Sequence, residues 1–430
     1  KKMKGYIILL GLLLLIGCES KPKYEKITNV EDYDVFLNSK NTPTLDETLL
    51  QQRYWSNRLD KDTTGIGDIG QLANVYEQLF AETGNMQHLL AAETLYKKAI
   101  ALSADNFRDG FERGLAKNYI SQHRFKEAND LLQKSFEGPS QKRPTQLMLF
   151  DSAMELGDYD RAYEYLSALK DMSDYNYLIR LSKWSDHSGD LDSAIKYMEM
   201  AKEKAESHES KPLKIWSYSN LADFYGHAAR IKESYAHYLK TLELQPDNSY
   251  VKRKIAWIVY AAEGNAKESH RILDSVMKNH QLPDYHLLKA ELYAFEGNTA
   301  ASKNAEEQFV NAVEAGQYGG MYNTYLIELY AEAAPKKALE IAEKEVANRN
   351  TPLIHSYLAL AQLQNGQDAE ALKTIENGVE GKTFEPVALY HSALVYKANG
   401  NSKKVKELKA ELEEASFELG PVMTGKVKEL

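Results

Sequence analysis

The chain has 430 residues, 43% apolar and 27% charged, with only 24 Gly and 11 Pro, a balance that excludes a disordered, collagen-like or multi-span membrane protein. Lysine and arginine number 53 against 62 acidic residues, a formal charge of −9, which is the reverse of the basic footprint that nucleic-acid binding needs. A single cysteine excludes a disulfide framework within the chain and a cysteine-rich zinc site.

The chain opens on Lys1, Lys2 and Lys4, then an apolar stretch from Tyr6 to Ile16 broken by Gly11. That run is too short for a bilayer span, which takes about 20 apolar residues, and suits a secretory signal. It closes on Leu15-Ile16-Gly17-Cys18. The order of aliphatic, β-branched, small and cysteine resembles a bacterial lipoprotein signal. The resemblance implies cleavage after Gly17 and a diacylglycerol thioether on Cys18, since a thiolate is the nucleophile that takes the lipid. More than one acyl chain, at ~0.8 kcal/mol per buried CH₂, gives stable anchoring. Glu19 and Ser20-Lys21-Pro22-Lys23 follow as a polar tether. The expected location is the cell envelope of a Gram-negative bacterium, lipid-anchored, with the outer membrane placed ahead of the inner.

Between the tether and residue 67, Pro43-Thr44 opens an amphipathic stretch to about Leu59. It reads as a helix with Trp55 buried against the first repeat, either an N-terminal cap or a degenerate repeat. From Asp68 onward the pattern is periodic. Turn-like breaks fall at Gly84, His123, Gly157, Gly189, Ala229, Gly264, Gly297, Ala334, Gly366 and Gly400, about 35 residues apart on average. Apolar residues at i, i+3, i+4 and i+7 flank each break, so the unit is a hairpin of two amphipathic helices.

These units resemble the tetratricopeptide repeat. Leu221-Ala222, Tyr225, Ala229, Ser234, Tyr238 and Pro246 follow its order of small residue, aromatic, turn, small residue, bulky residue and exit proline. Leu358-Ala359, Gly366, Ala371 and Ile375 do the same, and partial matches run through Ala116, Tyr119, Ala128 and Leu132. Departures occur at Trp257, in a normally small place, in the lengthened stretch after Gly297, and at Ala334, which replaces the turn glycine. The predicted fold is all-α, a right-handed α-solenoid of about ten hairpins over residues 68–417. Most of the 28 tyrosines should be core. Residues 418–430, with Gly420-Pro421, read as a helix stop and a frayed tail.

Several motifs dissolve on inspection. Gly65-Ile66-Gly67-Asp68-Ile69-Gly70 spells a dinucleotide fingerprint, but no strand precedes it and Asp68 would oppose a pyrophosphate, so Asp68 reads as an N-cap. Gly420 to Lys426 lacks the Ser/Thr that would hold Mg²⁺ in a phosphate-binding loop. Asp186, Ser188, Asp190 and Asp192 suggest a calcium loop, yet Leu191 stands where the turn glycine belongs. The eleven histidines form no H-E-x-x-H. No enzyme activity, cofactor or metal is expected.

The repeat resemblance implies an inner groove lined by first helices. Its register places Arg113, Lys117, Asp151, Glu155, Lys183, Asp186, His187, Trp216, Asp223, His227, Lys254 and Glu291 on that wall. Arg113, Lys117, Lys183, His187, Trp216, His227 and Lys254 are the candidate binding residues, because Trp and Arg anchor partners and the cations hold acidic groups. The expected function is a membrane-anchored interaction scaffold. It holds an unidentified envelope protein or peptide in the groove and membrane lipid through Cys18, and binds no nucleic acid. The alternative is a surface lipoprotein that captures glycan or peptide nutrients.

Overall fold

The computed structural model describes residues 24–139 and 141–430; the signal, with Leu15, Ile16, Gly17 and Cys18, lies outside them. Among the described residues the regular structure is helical throughout, with no strand. A short α1 (Val30–Tyr33) and a longer α2 (Pro43–Leu59) precede ten hairpins. The first five pair α3 (Ile66–Thr83) with α4 (Met86–Leu102), α5 (Asp109–Ser121) with α6 (Phe125–Glu137), α7 (Lys142–Leu156) with α8 (Tyr159–Ala168), α9 (Tyr175–His187) with α10 (Leu191–Ser207), and α11 (Lys211–His227) with α12 (Ile231–Leu244). The next five pair α13 (Ser249–Ala261) with α14 (Ala266–Val276), α15 (Asp284–Phe295) with α16 (Thr299–Ala315), α17 (Asn323–Ala333) with α18 (Pro335–Asn348), α19 (Pro352–Gln364) with α20 (Asp368–Gly378), and α21 (Pro386–Ala398) with α22 (Ser402–Glu414). A last helix, α23 (Ser416–Lys428), follows. The chain is therefore the all-α solenoid of tetratricopeptide-like hairpins that the sequence implies.

Local chemistry builds each hairpin. At six turns a glycine in the left-handed region ends the first helix, and the Asn or Asp after it accepts a backbone N–H of the second: Asn85, Asp158, Asp190, Asn265, Asn298 and Asn401. Each such cap is worth about 1 kcal/mol. His123 and Ala229 take the same left-handed conformation without being glycine, whereas Ala334 keeps a negative φ of −147° and hands over to Pro335 at the start of α18. The small residues let the paired helices cross closely. At three small positions a serine hydroxyl donates to a carbonyl of the other helix: Ser182 to Ala194 (2.6 Å), Ser269 to Ala256 (2.9 Å) and Ser302 to Ala290 (2.9 Å).

The array coils far enough for one superhelical turn to touch the next. The Gln281 amide donates to the Thr83 carbonyl at 2.8 Å, and the Asn350 amide to the Leu156 carbonyl at 3.1 Å. His280 bridges the same seam, from the Ala81 carbonyl (3.1 Å) to the Tyr285 hydroxyl (2.8 Å). Burial depresses its pKa to about 4, so the ring stays neutral there. The Asn348 amide reaches the His123 carbonyl, and the Arg349 guanidinium lies over the Phe125 ring at 5.3 Å. Residues 24–42 cross α12 and α14. Glu263 accepts from the Ile27 amide (2.8 Å), Tyr33 donates to Glu268 (2.8 Å), and Asp247 then receives the amides of Thr44 and Leu45 at the start of α2.

Four sequence expectations need correction. Residues 418–430 are not a frayed tail, because the helix resumes at Pro421 after a kink at Gly420 and buries Leu419 and Val427. Trp55 is half-buried and packs edge-on against Tyr54 (4.9 Å). Asp68 pairs with Arg58 at 2.9 Å and leaves the cap position to Gly65. Fourteen tyrosines are buried outright, about half of those described, some with hydroxyls reaching rim carboxylates as Tyr225 reaches Glu199, while Tyr54, Tyr163 and others stand exposed on helix surfaces.

Two turn glycines separate backbone strain from seam contact. Gly366 has φ +72° and nothing near an added Cβ, so Gly366→Ala should cost about 1–2 kcal/mol from the left-handed conformation alone. At Gly157 (φ +78°) the same methyl would sit 2.3 Å from the Asn350 carbonyl oxygen, which adds about 1–3 kcal/mol of overpacking. Urea denaturation should rank Gly157→Ala clearly below Gly366→Ala in midpoint, and equal midpoints would show that the seam adds nothing.

Candidate functional site

The first helices face inward, and their charges are mutually paired. Asp151 of α7 meets Arg180 of α9 (2.5 Å), Glu155 meets Lys183 (2.9 Å), Asp223 of α11 meets Lys254 of α13 (3.1 Å), and Arg253 pairs with Asp284 of α15. These pairs tie each first helix to its neighbour, which uses up charges that would otherwise be free for a partner. Burial alone would raise the Glu155 carboxyl, yet Lys183 and Arg349 hold it below the ordinary carboxylate range. Burial and Lys183 together lower His187, whose ring stacks on Tyr159 at 4.0 Å.

Two cavities open on this wall. One, of about 450 Å³, has an apolar floor of Trp257, Ile258, Leu287 and Leu288, with Lys254, Asp284 and Tyr325 on its rim. The other, of about 430 Å³, lies on the seam among Lys183, Asp186, His187, Arg349 and Glu385. His227 and Glu418 line both. The two spaces are parts of one groove divided by the chain itself.

The divider is the start of α23, which packs on α11, α13 and α15 as well as on α21 and α22. Trp257 donates its indole N–H to the Phe417 carbonyl at 3.1 Å, and Phe417 lies close to Gly226. Gly420, at φ +76°, brings its backbone against the Trp257 ring, where a Cβ would approach to 2.7 Å. On either side of the kink, Leu419 and Val427 join Leu412 and Ala393 in a small core that closes the last hairpin.

Glu418 stands 3.8 Å from His227 and also faces Asp186 and Glu385, with Lys254 more distant in effect. Burial raises all three carboxyls above the ordinary range; each is further raised by another carboxylate or only partly relieved by His227. Among the described residues neither Asp186 nor Glu385 makes an ion pair within 4 Å.

Of the sequence-predicted residues, Lys183, His187, His227 and Lys254 line these cavities. Arg113 turns instead to Asp109 (2.6 Å) and Thr145 (3.3 Å), Lys117 is exposed, and Trp216 is exposed beside Tyr175 away from both cavities. Sequence reading missed Trp257, Arg253, Phe417, Glu418 and Glu385 as groove residues. Trp257 carried a signal, a bulky side chain in a small place; Glu418 carried none. Among the described residues no group of three or more His, Cys, Asp or Glu is placed to hold a metal ion, and no helix is long and apolar enough to cross a membrane.

The chain matches no family model, and no curated protein matches it. Among solved structures it is similar to the type IV pilus biogenesis factor PilW (13% identity, 49% of this chain and 96% of that one, TM-score 0.39). It is also similar to human IFIT1 in a dimer with PPP-AAAA (13%, 91% and 96%, TM-score 0.46) and to yeast Tom70 (13%, 90% and 92%, TM-score 0.36). None of these likenesses bears on function, and the fold stands on the helices themselves.

Docking of α23 should respond to pH in a definite sense. Docking raises the Glu418 pKa through burial and through Glu385 and Asp186, so at this carboxyl the docked state binds more protons than the undocked state and is favoured as pH falls. Amide hydrogen exchange of residues 416–428, corrected for intrinsic rates, should show greater protection at pH 5.5 than at 7.5. Glu418→Gln should raise protection at pH 7.5 and flatten the dependence; an unchanged profile would mean that the carboxylates do not act on the helix.

Proposed function

We propose that the chain is a protein-interaction scaffold, lipid-anchored in the envelope of a Gram-negative bacterium through Cys18, with the outer membrane as the first candidate. The observation that carries the scaffold reading is the groove's own occupant. A wall of first helices accepts a helical segment through an apolar floor at Trp257 and a polar rim at His227, which is the chemistry of helix or peptide recognition. The anchoring part rests on the Leu15-Ile16-Gly17-Cys18 signal. Nutrient capture finds less support: the most exposed aromatics, Phe107 and Phe384, lie in loops between hairpins far apart in the chain.

Affinity capture from detergent-solubilised envelopes, with the mature protein as bait, tests the scaffold. A specific protein should be recovered, and Trp257→Leu with Lys254→Ala should reduce it roughly tenfold while the helical circular dichroism is kept. Recovery unchanged by that pair would remove the groove from the account. Cys18→Ser should move the protein from the membrane to the soluble fraction, and continued membrane retention would sink the lipid anchor.

A further inference from the structure

The groove binds its own chain imperfectly, and the misfit says what would fit better. Phe417 enters the cavity floored by Trp257 and Leu288, a reasonable seat for an aromatic side chain. The next residue, Glu418, points at a wall whose carboxylates Asp186 and Glu385 lack ion-pair partners among the described residues. The cations that face it are His227, at 3.8 Å, and Lys254, which Asp223 already holds at 3.1 Å. An acidic side chain is thus placed where the surroundings call for a basic one.

We propose that the groove's ligand is a peptide that seats an aromatic side chain in the Trp257 cavity and, one residue on, a basic side chain between Asp186 and Glu385, with residues 416–418 as its tethered competitor. This deepens the scaffold reading and rests on it. The tether gives the internal segment a high effective concentration, while the like charges at Glu418 keep its hold weak near neutral pH. A partner with Lys or Arg at that place exchanges repulsion for charge-assisted hydrogen bonds. Lifting residues 416–418 also joins the two cavities, since Glu418 lines both. The rest of α23, anchored by Leu419 and Val427 in the last hairpin's core, stays in place.

The test uses the full chain and two fluorescein-labelled octapeptides, one with the sequence of residues 414–421 and one carrying E418K. The release variant is Gly420→Ala, whose methyl cannot sit against Trp257 and whose φ of +76° disfavours any side chain. At pH 7.5, fluorescence anisotropy should show the E418K peptide binding Gly420→Ala roughly tenfold or more tightly than the unchanged chain. It should also bind that variant roughly tenfold more tightly than the unmodified peptide does. Adding Asp186→Asn and Glu385→Gln should erase the second difference and keep the first. Phe417→Ala serves as an independent release variant should Gly420→Ala fail to fold. Equal binding of the two peptides, or no gain in a folded release variant, overturns the proposal. Envelope capture separates the levels: a partner still lost with Trp257→Leu and Lys254→Ala leaves the scaffold standing without this ligand chemistry, whereas no groove-dependent partner and no peptide binding removes both.

Discussion

Everything particular to this molecule depends on backbone groups of one superhelical turn bonding to those of the next. An open array of hairpins would leave its concave face as a long trough. Here Gln281, between the sixth and seventh hairpins, meets Thr83 of the first, and Asn350, between the eighth and ninth, meets Leu156 of the third, which fixes how far the second half of the array descends onto the first. That descent brings the end of the chain beside α11 and α13. It also requires residues without a Cβ at the contact, since Gly84 and Gly157 approach carbonyls that would collide with any side chain. These two glycines therefore serve twice, once for the left-handed turn and once for the seam.

How far the sequence reveals this follows from the range of each interaction. Hairpin formation is local: a break about every 35 residues, a left-handed residue, an Asx cap and a small-residue crossing all lie within one repeat. Nine of the ten marked turns have positive φ, His123 and Ala229 among them without being glycine, and the tenth, Ala334, is the one followed by a proline. The seam joins residues nearly two hundred positions apart through main-chain atoms, and main-chain atoms leave no residue-specific trace. The same holds for the groove. Lys183 and Lys254 are identifiable as inner-wall residues from repeat register, but their pairing with Glu155 and Asp223 turns on the spacing between adjacent hairpins.

The tail shows how a correct local reading gives a wrong structure. Gly420-Pro421 does stop a helix, with φ +76° at the glycine. Proline is also well suited to the first position of a new helix, where its missing N–H is not needed. Whether the chain frays or starts again is decided by what lies beyond. Met423 and Val427 recur at helical spacing and meet the apolar side of α21 and α22, so burial tips the balance. The kink then sets the preceding residues at an angle to the last hairpin, pointing across the groove at Trp257.

Charge arrangement explains why the groove can be both well ordered and available. A wall of unpaired charges would lose their hydration whenever anything docked, at a cost that rises with burial. Pairing Asp223 with Lys254 and Arg253 with Asp284 meets most of that cost within the wall, before any ligand arrives. The exception is the junction of Asp186, Glu385 and Glu418, where three carboxyls share one nearby histidine. A fully compensated latch would close the groove permanently, and an unanchored one would leave the Trp257 floor bare to water. With Val427 holding the helix and Glu418 opposing its near end, the two parts of one short segment act in opposite senses. The residue of that segment that faces the other carboxyls, Glu418, is the one that lines both cavities.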